Sequence, residues 1–541
     1  MRSGKGVDVH KFYIAGMLMA LVVFSWAWAV PSYAQEKPQS GGTLNMALAY
    51  TPPSYDAHRE TTIGTVQPLL PHYSLLLKID PDHYPKVIGD LAESWTVSQD
   101  QKTYTFKIRK GVKFHDGSLL TAKDIKATYD KIIFPPPGVT SIRKAFYAMV
   151  QKVEAPDDHT VIFRLTRVSA SFLASLAAPY NFVYKADILA KDPKWYEKNI
   201  MGTGPFKFVE HVAGSHWVGK RNEDYFIKGR PYLDGYRITF IADMGARLGA
   251  IRAGRVHGDF IMFSPSQRDD LVRALGDKIR VEEVSSPSTN TVVFNTEKKP
   301  FGESRVRRAL NLSLDRWEGS KVLHRISPLK EVGGFLRPGS EFAMSEAELT
   351  QLGGFGKDIQ ASRKEARRLL REAGIAEGFG FELKNRSMGK EYEVAAIWLI
   401  DQWRQIGLNV KQTVHDLATV KRDLQTGNFE VYLDAISDYM DEPDLQFIRI
   451  ISHDKSPVSY GRYIDRTLDD LYERQSKAMN PAERKKLCDQ FQKRVLDEMA
   501  YCLPTPWRHR IVPYSAKVKG WKALPSHFLN QDLTNVWLAK D

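Results

Sequence analysis

Short runs with the apolar spacing of strands alternate along the chain with runs that have the spacing of helices. In residues 103–109, for example, Tyr104, Phe106 and Ile108 alternate with polar residues, which is the period-two pattern of a half-buried strand. Further strands are predicted at 160–165, 236–241, 291–295, 381–384 and 429–435, and helices at 246–253, 304–314, 362–373, 391–405 and 481–499. Alternation of this kind indicates α/β lobes.

Local signals mark the ends of several predicted helices. Thr121 stands three residues before Asp124, a capping arrangement that satisfies free backbone amides at a helix start. Ser362 and Glu365 have the same spacing, and Gly374 follows the last apolar position of that run. We therefore predict a capping box at Ser362 and a helix end at Gly374.

The N-terminal 34 residues have the pattern of a secretory signal. Three basic residues precede or enter an apolar run at 12–30, and small residues at 31–34 offer a cleavage site before Gln35. An uncleaved anchor is the competing interpretation, because 19 apolar residues are long enough to span a bilayer. No cysteine stands at the end of the run, because the only two in the chain are Cys488 and Cys502, so the sequence predicts a periplasmic protein without a lipid-modified cysteine.

Net charge does not indicate a nucleic-acid partner. The formal charge is +13, and removal of residues 1–34 with three basic residues and Asp8 lowers it to +11. The densest basic runs, 363–371 and 484–494, have helical spacing and acidic partners, with no interleaved aromatic residues. We interpret them as solvated helix faces.

The two cysteines, Cys488 and Cys502, are predicted to be free and buried thiols. The segment between them has an apolar stripe typical of a helix. About fourteen residues of helix would separate the sulfur atoms by roughly 20 Å, which is too far for a disulfide.

The sequence shows none of the common catalytic motifs. It has no Gly-x-Ser-x-Gly, His-Glu-x-x-His, phosphate-loop or Cys-x-x-Cys pattern. His115 and Asp116 stand beside Gly117 at a predicted turn, and we assign them no chemistry. A secreted hydrolase remains a rival hypothesis that turnover of a peptide or glycoside by the purified chain would support.

Several sequence blocks follow one another along the chain: LAESW at 91–95, YTFKIRKGVKFHDG at 104–117, GTGPF at 202–206, KKPF at 298–301, RVRRAL at 305–310, ARRLLREAG at 366–374 and QWRQIGL at 402–408. In the same order, from about residue 41 to 525, they resemble blocks of the family 5 extracellular solute-binding proteins of ABC importers. This family includes oligopeptide, dipeptide and nickel receptors.

The resemblance implies an α/β, two-lobed periplasmic-binding-protein fold of type II, with an extra inserted α/β domain and a ligand cleft between the lobes. After a signal peptide at 1–34, the first lobe would combine 35–76, 203–287 and 508–541. The inserted domain would be 77–202 and the second lobe 288–507. Two crossings, near 285–288 and 504–507, would form the hinge.

The resemblance also implies two anchors for a peptide. Arg386 falls where dipeptide receptors carry a carboxylate-binding arginine, and a guanidinium there would clamp a carboxylate. The family places an Asp for the ligand's α-amino group shortly before a DPD motif. Here that alignment puts Tyr439 at the Asp position, and Asp438 or Asp441 would fill the role if the loop shifts. A surface arginine and loop-solvating acids are the alternatives.

Four further candidates come from the same comparison. Thr61 and Ile63 match a segment that lies along the ligand backbone in oligopeptide receptors. Tyr147 falls near a ligand-touching tyrosine of the inserted domain, and Trp507 sits at the predicted hinge. Each is equally consistent with core packing.

These observations predict a substrate-binding component of an ABC transporter, which captures a small polar solute and presents it to a membrane permease. We expect a monomer with no enzymatic activity, no cofactor and no metal, since no His, Cys or carboxylate cluster shows ligand spacing. Peptides are the leading ligand class. Opines, oligosaccharides and chelated metals remain alternatives, as does a membrane-tethered sensor.

Overall fold

The computed structural model describes Met1 and residues 36–387 and 390–540. The predicted signal segment lies outside these residues. In the part of the chain that is described, every helix is too short or too polar to cross a bilayer.

The strands are numbered in chain order and vary from two to sixteen residues. They are β1 (Thr43–Leu48), β2 (Leu77–Ile79), β3 (Val87–Gly89), β4 (Ala92–Val97), β5 (Thr103–Ile108), β6 (Val150–Asp157), β7 (Thr160–Leu165), β8 (Phe206–Val212), β9 (His216–Arg221), β10 (Gly235–Phe240), β11 (Ile279–Phe294), β12 (Leu329–Glu331), β13 (Gly380–Arg386), β14 (Asn409–His415), β15 (Val431–Ser437), β16 (Cys502–Ser515), β17 (Val518–Lys519) and β18 (Trp537–Leu538).

The α-helices lie between these strands. They span Ile63–Leu69, Ala122–Ile133, Phe172–Leu176, Ala186–Lys191, Met244–Arg252, Pro265–Leu275, Ser304–Leu312, Arg316–His324, Glu346–Leu349, Ile359–Glu372, Lys390–Arg404, Leu417–Thr426, Pro443–Phe447, Arg466–Lys477 and Pro481–Lys493. The six strands and five helices predicted from periodicity are all present, with ends that differ by up to twelve residues.

Three larger sheets organise the molecule. One has the order β1-β10-β9-β8, with β1 parallel to β10. A second has the order β4-β5-β7-β6 and is antiparallel throughout. The third has six strands in the order β12-β16-β11-β15-β13-β14. The mixed α/β class predicted from the alternation is confirmed.

The long strands β11 and β16 run side by side and connect two regions of the molecule. Residues 279–285 of β11 pair with 509–515 of β16, and residues 289–293 pair with 502–507. The register shifts between these two stretches, from Ser285 to Thr289. Only the second stretch of β11 also pairs with β15. The predicted crossings near 285–288 and 504–507 thus fall where the pairing changes.

Separate apolar cores lie under these sheets. One is built mainly from residues 76–183 around the β4-β5-β7-β6 sheet, and it also takes in Tyr439, Met440 and Leu445. Another packs beneath the β1-β10-β9-β8 sheet, and a third beneath the central strands of the six-stranded sheet. The segment after β15 therefore packs into a core whose other residues lie mostly far away in the sequence.

Two helix ends differ from the sequence prediction. The helix predicted to start at Ser362 begins at Ile359, because Asp358 accepts a hydrogen bond from the Ala361 amide and caps it first. The helix predicted for 481–499 stops at Lys493 and continues as a π-helical turn at Arg494–Glu498.

Other local predictions are confirmed. Thr121 and Asp124 form the predicted capping box, and Gly374 has a φ of +71° after the helix end. Cys488 and Cys502 are both buried, free thiols. Burial raises the pKa of the Cys488 thiol and raises that of Cys502 to about 12, so neither ionises at neutral pH.

Candidate ligand-binding cavity

A cavity of about 330 Å³ lies where five separate parts of the chain meet. It is lined by Thr61, Ile142, Arg143, Phe146, Tyr180, Ser437, Asp438, Tyr439, Arg449 and Phe528. Larger hollows of about 590 and 600 Å³ lie along 251–279 with the C-terminal strand ends and along 133–150. We take the smaller cavity as the site because charged side chains with unused bonding capacity line it.

One wall of the cavity is the end of β15 and the turn after it. β15 ends at Ser437, and Asp438 and Tyr439 follow directly. Its parallel neighbour β13 ends at Arg386. Ligands of α/β sheets bind outside the carboxyl ends of parallel strands, and this turn occupies such a position.

The opposite wall is held by Arg143 and Tyr180. Arg143 is buried, and its guanidinium donates to the carbonyl oxygens of Ala57 at 2.8 Å and Glu60 at 2.6 Å. Its Cζ lies 3.8 Å from the centre of the Tyr180 ring. The Tyr180 hydroxyl donates to the Thr61 carbonyl at 2.9 Å. Arg143 therefore positions the 57–61 segment and has little capacity left for a ligand.

Asp438 is the acidic group of the cavity. Its side chain is 10% exposed, and its Oδ2 has no hydrogen-bond partner among the described residues. Burial raises the pKa of this carboxyl to about 6, although the nearby Arg449 lowers it. A buried carboxylate oxygen without a hydrogen-bond donor is costly, so the site favours a solute that brings such a donor.

Arg449 is the basic group closest to Asp438. Its Nη2 lies 3.6 Å from Asp438 Oδ2, which is an ion pair longer than a hydrogen bond. Its Nε is also enclosed and without a partner in the described part of the chain. Asp438 and Arg449 therefore offer opposite charges side by side at one cavity.

Asp441, the other acid predicted for an amino-group anchor, has different partners. Arg337 binds it with two nitrogens, Nε at 2.8 Å from Oδ1 and Nη2 at 2.6 Å from Oδ2. The Tyr84 hydroxyl donates to Oδ2 at 2.8 Å. These bonds join the segment after β15 to the β2-β3 region and leave Asp441 outside the cavity lining.

Arg386 also has protein partners and does not line the cavity. Its Nη2 donates to Asp434 Oδ1 at 2.6 Å, and its Cζ lies 5.0 Å and 5.5 Å from the ring centres of Tyr392 and Tyr432. Its Nε has no partner within the described residues. Arg386 thus lies on the same sheet edge as Asp438, with Asp434 already neutralising its charge.

The remaining predicted residues are packed in the protein. Ile63 is buried in an apolar core, and Trp507 is fully buried with its indole nitrogen donating to the Gly334 carbonyl at 3.1 Å. The Tyr147 hydroxyl donates to the Ser175 carbonyl at 2.7 Å. Of the eight predicted residues, the structure brings Thr61, Asp438 and Tyr439 together at the cavity.

Sequence reasoning missed the residues that complete this cavity. Arg143, Tyr180, Arg449 and Phe528 lie in no motif, and they reach the cavity from positions separated by up to 385 residues. Arg449 lies eleven residues after Asp438, beyond the helix Pro443–Phe447, so no short spacing links the two.

No group of three or more His, Cys, Asp or Glu side chains suited to a metal ion occurs in residues 36–387 and 390–540. The cavity lining offers one carboxylate, two guanidiniums, hydroxyls and aromatic rings. This composition suits a small polar organic solute, because such pockets combine apolar walls with a few polar groups that fix orientation.

Comparison with known proteins identifies a family whose model, described as bacterial extracellular solute-binding proteins, family 5, matches residues 86–456. Heme-binding protein A of Haemophilus influenzae is 26% identical over 80% of this chain and 81% of its own. Oligopeptide-binding protein AppA of Bacillus subtilis is 26% identical over 93% of both chains.

A solved structure extends the comparison to the fold. The structure of AgaA from Agrobacterium tumefaciens R10 in complex with agropinic acid superposes with a TM-score of 0.76. It is 25% identical and covers 92% of this chain and 99% of its own. The α/β architecture is therefore the type II periplasmic-binding-protein fold, with a ligand cleft implied. The names of these proteins mention heme, oligopeptides and agropinic acid, so similarity alone does not select the ligand.

Proposed function

Since this chain belongs to family 5 of the bacterial extracellular solute-binding proteins, we propose that it captures a short peptide-like solute at Asp438 and delivers it to the permease of an ABC importer. The observation that carries this proposal is the enclosed carboxylate oxygen of Asp438, which has an ion-pair partner in Arg449 but no hydrogen-bond donor among the described residues. A ligand ammonium group would supply the missing hydrogen-bond donor.

The size of the cavity supports a short ligand. Its volume of about 330 Å³ is near the lower end of the roughly 300–1,000 Å³ typical of small-molecule sites. A solute of two or three residues fits this volume better than a long peptide. The aromatic side chains Phe146, Tyr180, Tyr439 and Phe528 provide walls that tolerate different ligand side chains.

The division into lobes is part of the proposal. The β1-β10-β9-β8 sheet falls in the first lobe (35–76, 203–287 and 508–541), the β4-β5-β7-β6 sheet in the inserted domain (77–202), and most of the six-stranded sheet in the second lobe (288–507). β11 and β16 pass between the lobes, and their register change supports a hinge there.

The proposal also covers the cellular location of the protein, its oligomeric state and its lack of enzymatic activity. The family is one of extracellular solute-binding proteins, and we infer export through cleavage before Gln35, which N-terminal sequencing of the exported protein tests. We also infer that the protein works as a monomer and without enzymatic turnover. An intact peptide after long incubation with the purified protein is the expected result.

The test is a ligand panel followed by one mutation. Di- to pentapeptides, opines, oligosaccharides and Ni²⁺ chelates are added to the purified protein, and the unfolding midpoint is recorded. A ligand at about 100 times its Kd adds roughly 2.7 kcal/mol to folded-state stability. We expect short peptides to raise the midpoint and Asp438→Asn to abolish the increase.

The matched control is Asp470→Asn, which removes an exposed carboxylate on the helix Arg466–Lys477. It should leave the ligand response unchanged. A response to an opine or an oligosaccharide alone would replace the peptide assignment. An undiminished response in Asp438→Asn would show that the ligand binds elsewhere.

A further inference from the structure

A histidine lies between two carboxylates at the proposed hinge. His509 stands on β16 opposite Ser285 of β11, at the last pair before the register of these strands shifts. Its Nδ1 lies 2.9 Å from Glu283 Oε1. Its Nε2 lies 2.9 Å from Glu331 Oε1, in an ion pair that lacks the alignment of a hydrogen bond. One imidazole therefore contacts two acids at the point where the sheet crosses between the lobes.

The two acids belong to different lobes. Glu283 lies on β11 within the proposed first lobe, and Glu331 lies on β12 within the second. The His509 amide also donates to the carbonyl of Pro328, just before β12, at 2.8 Å. In this structure both lobes line the ligand cavity. The contacts of His509 thus join the lobes in the orientation that encloses the cavity.

Other charged side chains face this cluster from the surrounding elements. Lys330 of β12 donates a hydrogen bond to Glu283, and Arg268 of the helix Pro265–Leu275 donates to it at 3.3 Å. His324 Nε2 lies 4.0 Å from the same carboxylate. Burial lowers the pKa of His324, which favours its neutral form. These groups surround the two acids with cations without taking the place of His509 between them.

Both acids favour their ionised form, and this decides which form of His509 fits. Although burial raises it, the pKa of the Glu331 carboxyl is held below its usual range by His509 and Arg337. The pKa of the Glu283 carboxyl is likewise held low, against burial, by its cationic partners. A neutral imidazole has one N–H donor and one lone pair, so it satisfies only one carboxylate. Both contacts are favourable only when both ring nitrogens carry hydrogen.

We propose that His509 is a proton-operated latch on the hinge: protonated, it ties Glu283 of one lobe to Glu331 of the other, and neutral, it releases one of them. The orientation seen here then binds the proton more tightly than one with the bridge broken, so it is favoured as the pH falls. Histidine side chains usually change charge between about pH 5 and 8, which sets the range of the latch. This inference rests on the lobes and hinge of the proposed function and adds a control over their closure.

The experiment measures the distance between the lobes of the ligand-free protein by pulsed electron spin resonance. Spin labels are attached at Lys228→Cys in the first lobe and Lys364→Cys in the second, both at exposed positions. The native thiols of Cys488 and Cys502 are buried and do not compete for the label. All proteins carry Asp438→Asn, because Asp438 also titrates, with a pKa of about 6.

We expect the ratio of open to closed protein to rise about tenfold between about pH 5.5 and about pH 8.5, the effect of losing one hydrogen bond to a charged group. His509→Gln should remove this dependence, because the titrating proton is gone. Glu331→Gln should also remove it, because the Gln amide can donate to a neutral imidazole. The Glu331 side chain is 35% exposed, so this second variant tests the latch with little disturbance of the core.

The matched control is Glu210→Gln. Glu210 Oε1 lies 3.0 Å from His216 Nε2, so this variant removes a histidine–carboxylate pair that lies within the first lobe. It should keep the full pH dependence of the lobe distance.

A lobe distance that does not change with pH overturns the latch. So does a pH dependence that persists in full in His509→Gln or Glu331→Gln, or one that disappears in the Glu210→Gln control. The measurement uses no ligand, so a failed latch leaves the peptide proposal standing. A ligand panel without a peptide response would count against the peptide proposal, and the lobe distances would still decide the latch.

Discussion

Replacement of Asp438 by Asn should stabilise the protein without ligand while it removes ligand binding. Burial raises the pKa of the Asp438 carboxyl from its ordinary value of 3.8 to about 6. The folded state therefore holds this proton more tightly than the unfolded state. The stability that the protonated carboxyl contributes is fully present below pH 3.8 and is lost as the pH rises through about 6.

The size of the effect follows from that shift. The rise of the pKa from 3.8 to about 6, at about 1.36 kcal/mol for each tenfold change in proton affinity, makes the ionised Asp438 cost roughly 3 kcal/mol at neutral pH. Asn has no charge but still leaves a buried polar group, so we expect a net gain of about 2 kcal/mol. With an unfolding entropy of about 2.1 cal/mol/K per residue over some 500 residues, this gain corresponds to roughly 2 °C.

The assay is urea unfolding of the ligand-free wild type, Asp438→Asn and Asp470→Asn at pH 7.5 and pH 4.0. Asp438→Asn should unfold at higher urea than wild type at pH 7.5, and the gap should nearly close at pH 4.0. Asp470 is exposed and paired at the surface, so its variant should differ by at most about 0.5 kcal/mol. An Asp438→Asn protein that is no more stable than wild type at pH 7.5, or a gap that is independent of pH, would refute the reasoning.

Three other outcomes are expected. Only ionised Asp438 binds an ammonium group, and a pKa of about 6 means that roughly ten times less of it is ionised at pH 5 than at pH 7. Calorimetry should therefore show roughly tenfold weaker ligand affinity at pH 5. An affinity that does not change with pH would contradict this role of Asp438. Arg337→Met should cost about 3–5 kcal/mol in urea unfolding, since it leaves the buried Asp441 without its cation. Tyr180→Phe should lower stability by about 1 kcal/mol and weaken ligand binding, since it removes the hydrogen bond to the Thr61 carbonyl; unchanged affinity would show that this wall does not contact the ligand.

The local structure of this chain could be predicted from short stretches of sequence. The β5 strand and the Thr121 capping box depend on residues within a few positions of one another, and both are present. The free thiols of Cys488 and Cys502 were predictable for the same reason, since the apolar stripe between them specifies a helix. The helix Ile359–Glu372 shows the limit of such signals, because its predicted start at Ser362 is three residues too late.

Asp438 was recognisable from its motif, but its role depends on neighbours that no motif contains. The alignment placed Tyr439 at the position of the family's Asp and left Asp438 and Asp441 as alternatives for its role, and only the tertiary structure separates the two acids. Asp441 is neutralised by Arg337, which lies 104 residues away, whereas Asp438 Oδ2 has no hydrogen-bond partner among the described residues and lies 3.6 Å from Arg449 Nη2. Arg386 likewise matches the family's arginine in sequence, yet a salt bridge with Asp434 holds it outside the cavity lining.

The sequence by itself thus determined the helices and strands, their order and the family. Hydrophobic periodicity, helix caps and the blocks that resemble the family can each be recognised within a few residues. The cavity was decided by the tertiary structure alone. Its walls combine Thr61, Arg143, Tyr180, Asp438 and Phe528, which the packing of separate cores brings together. Burial and the choice of ionic partner then set which charges remain for a ligand, and both depend on contacts between residues that are far apart in the chain.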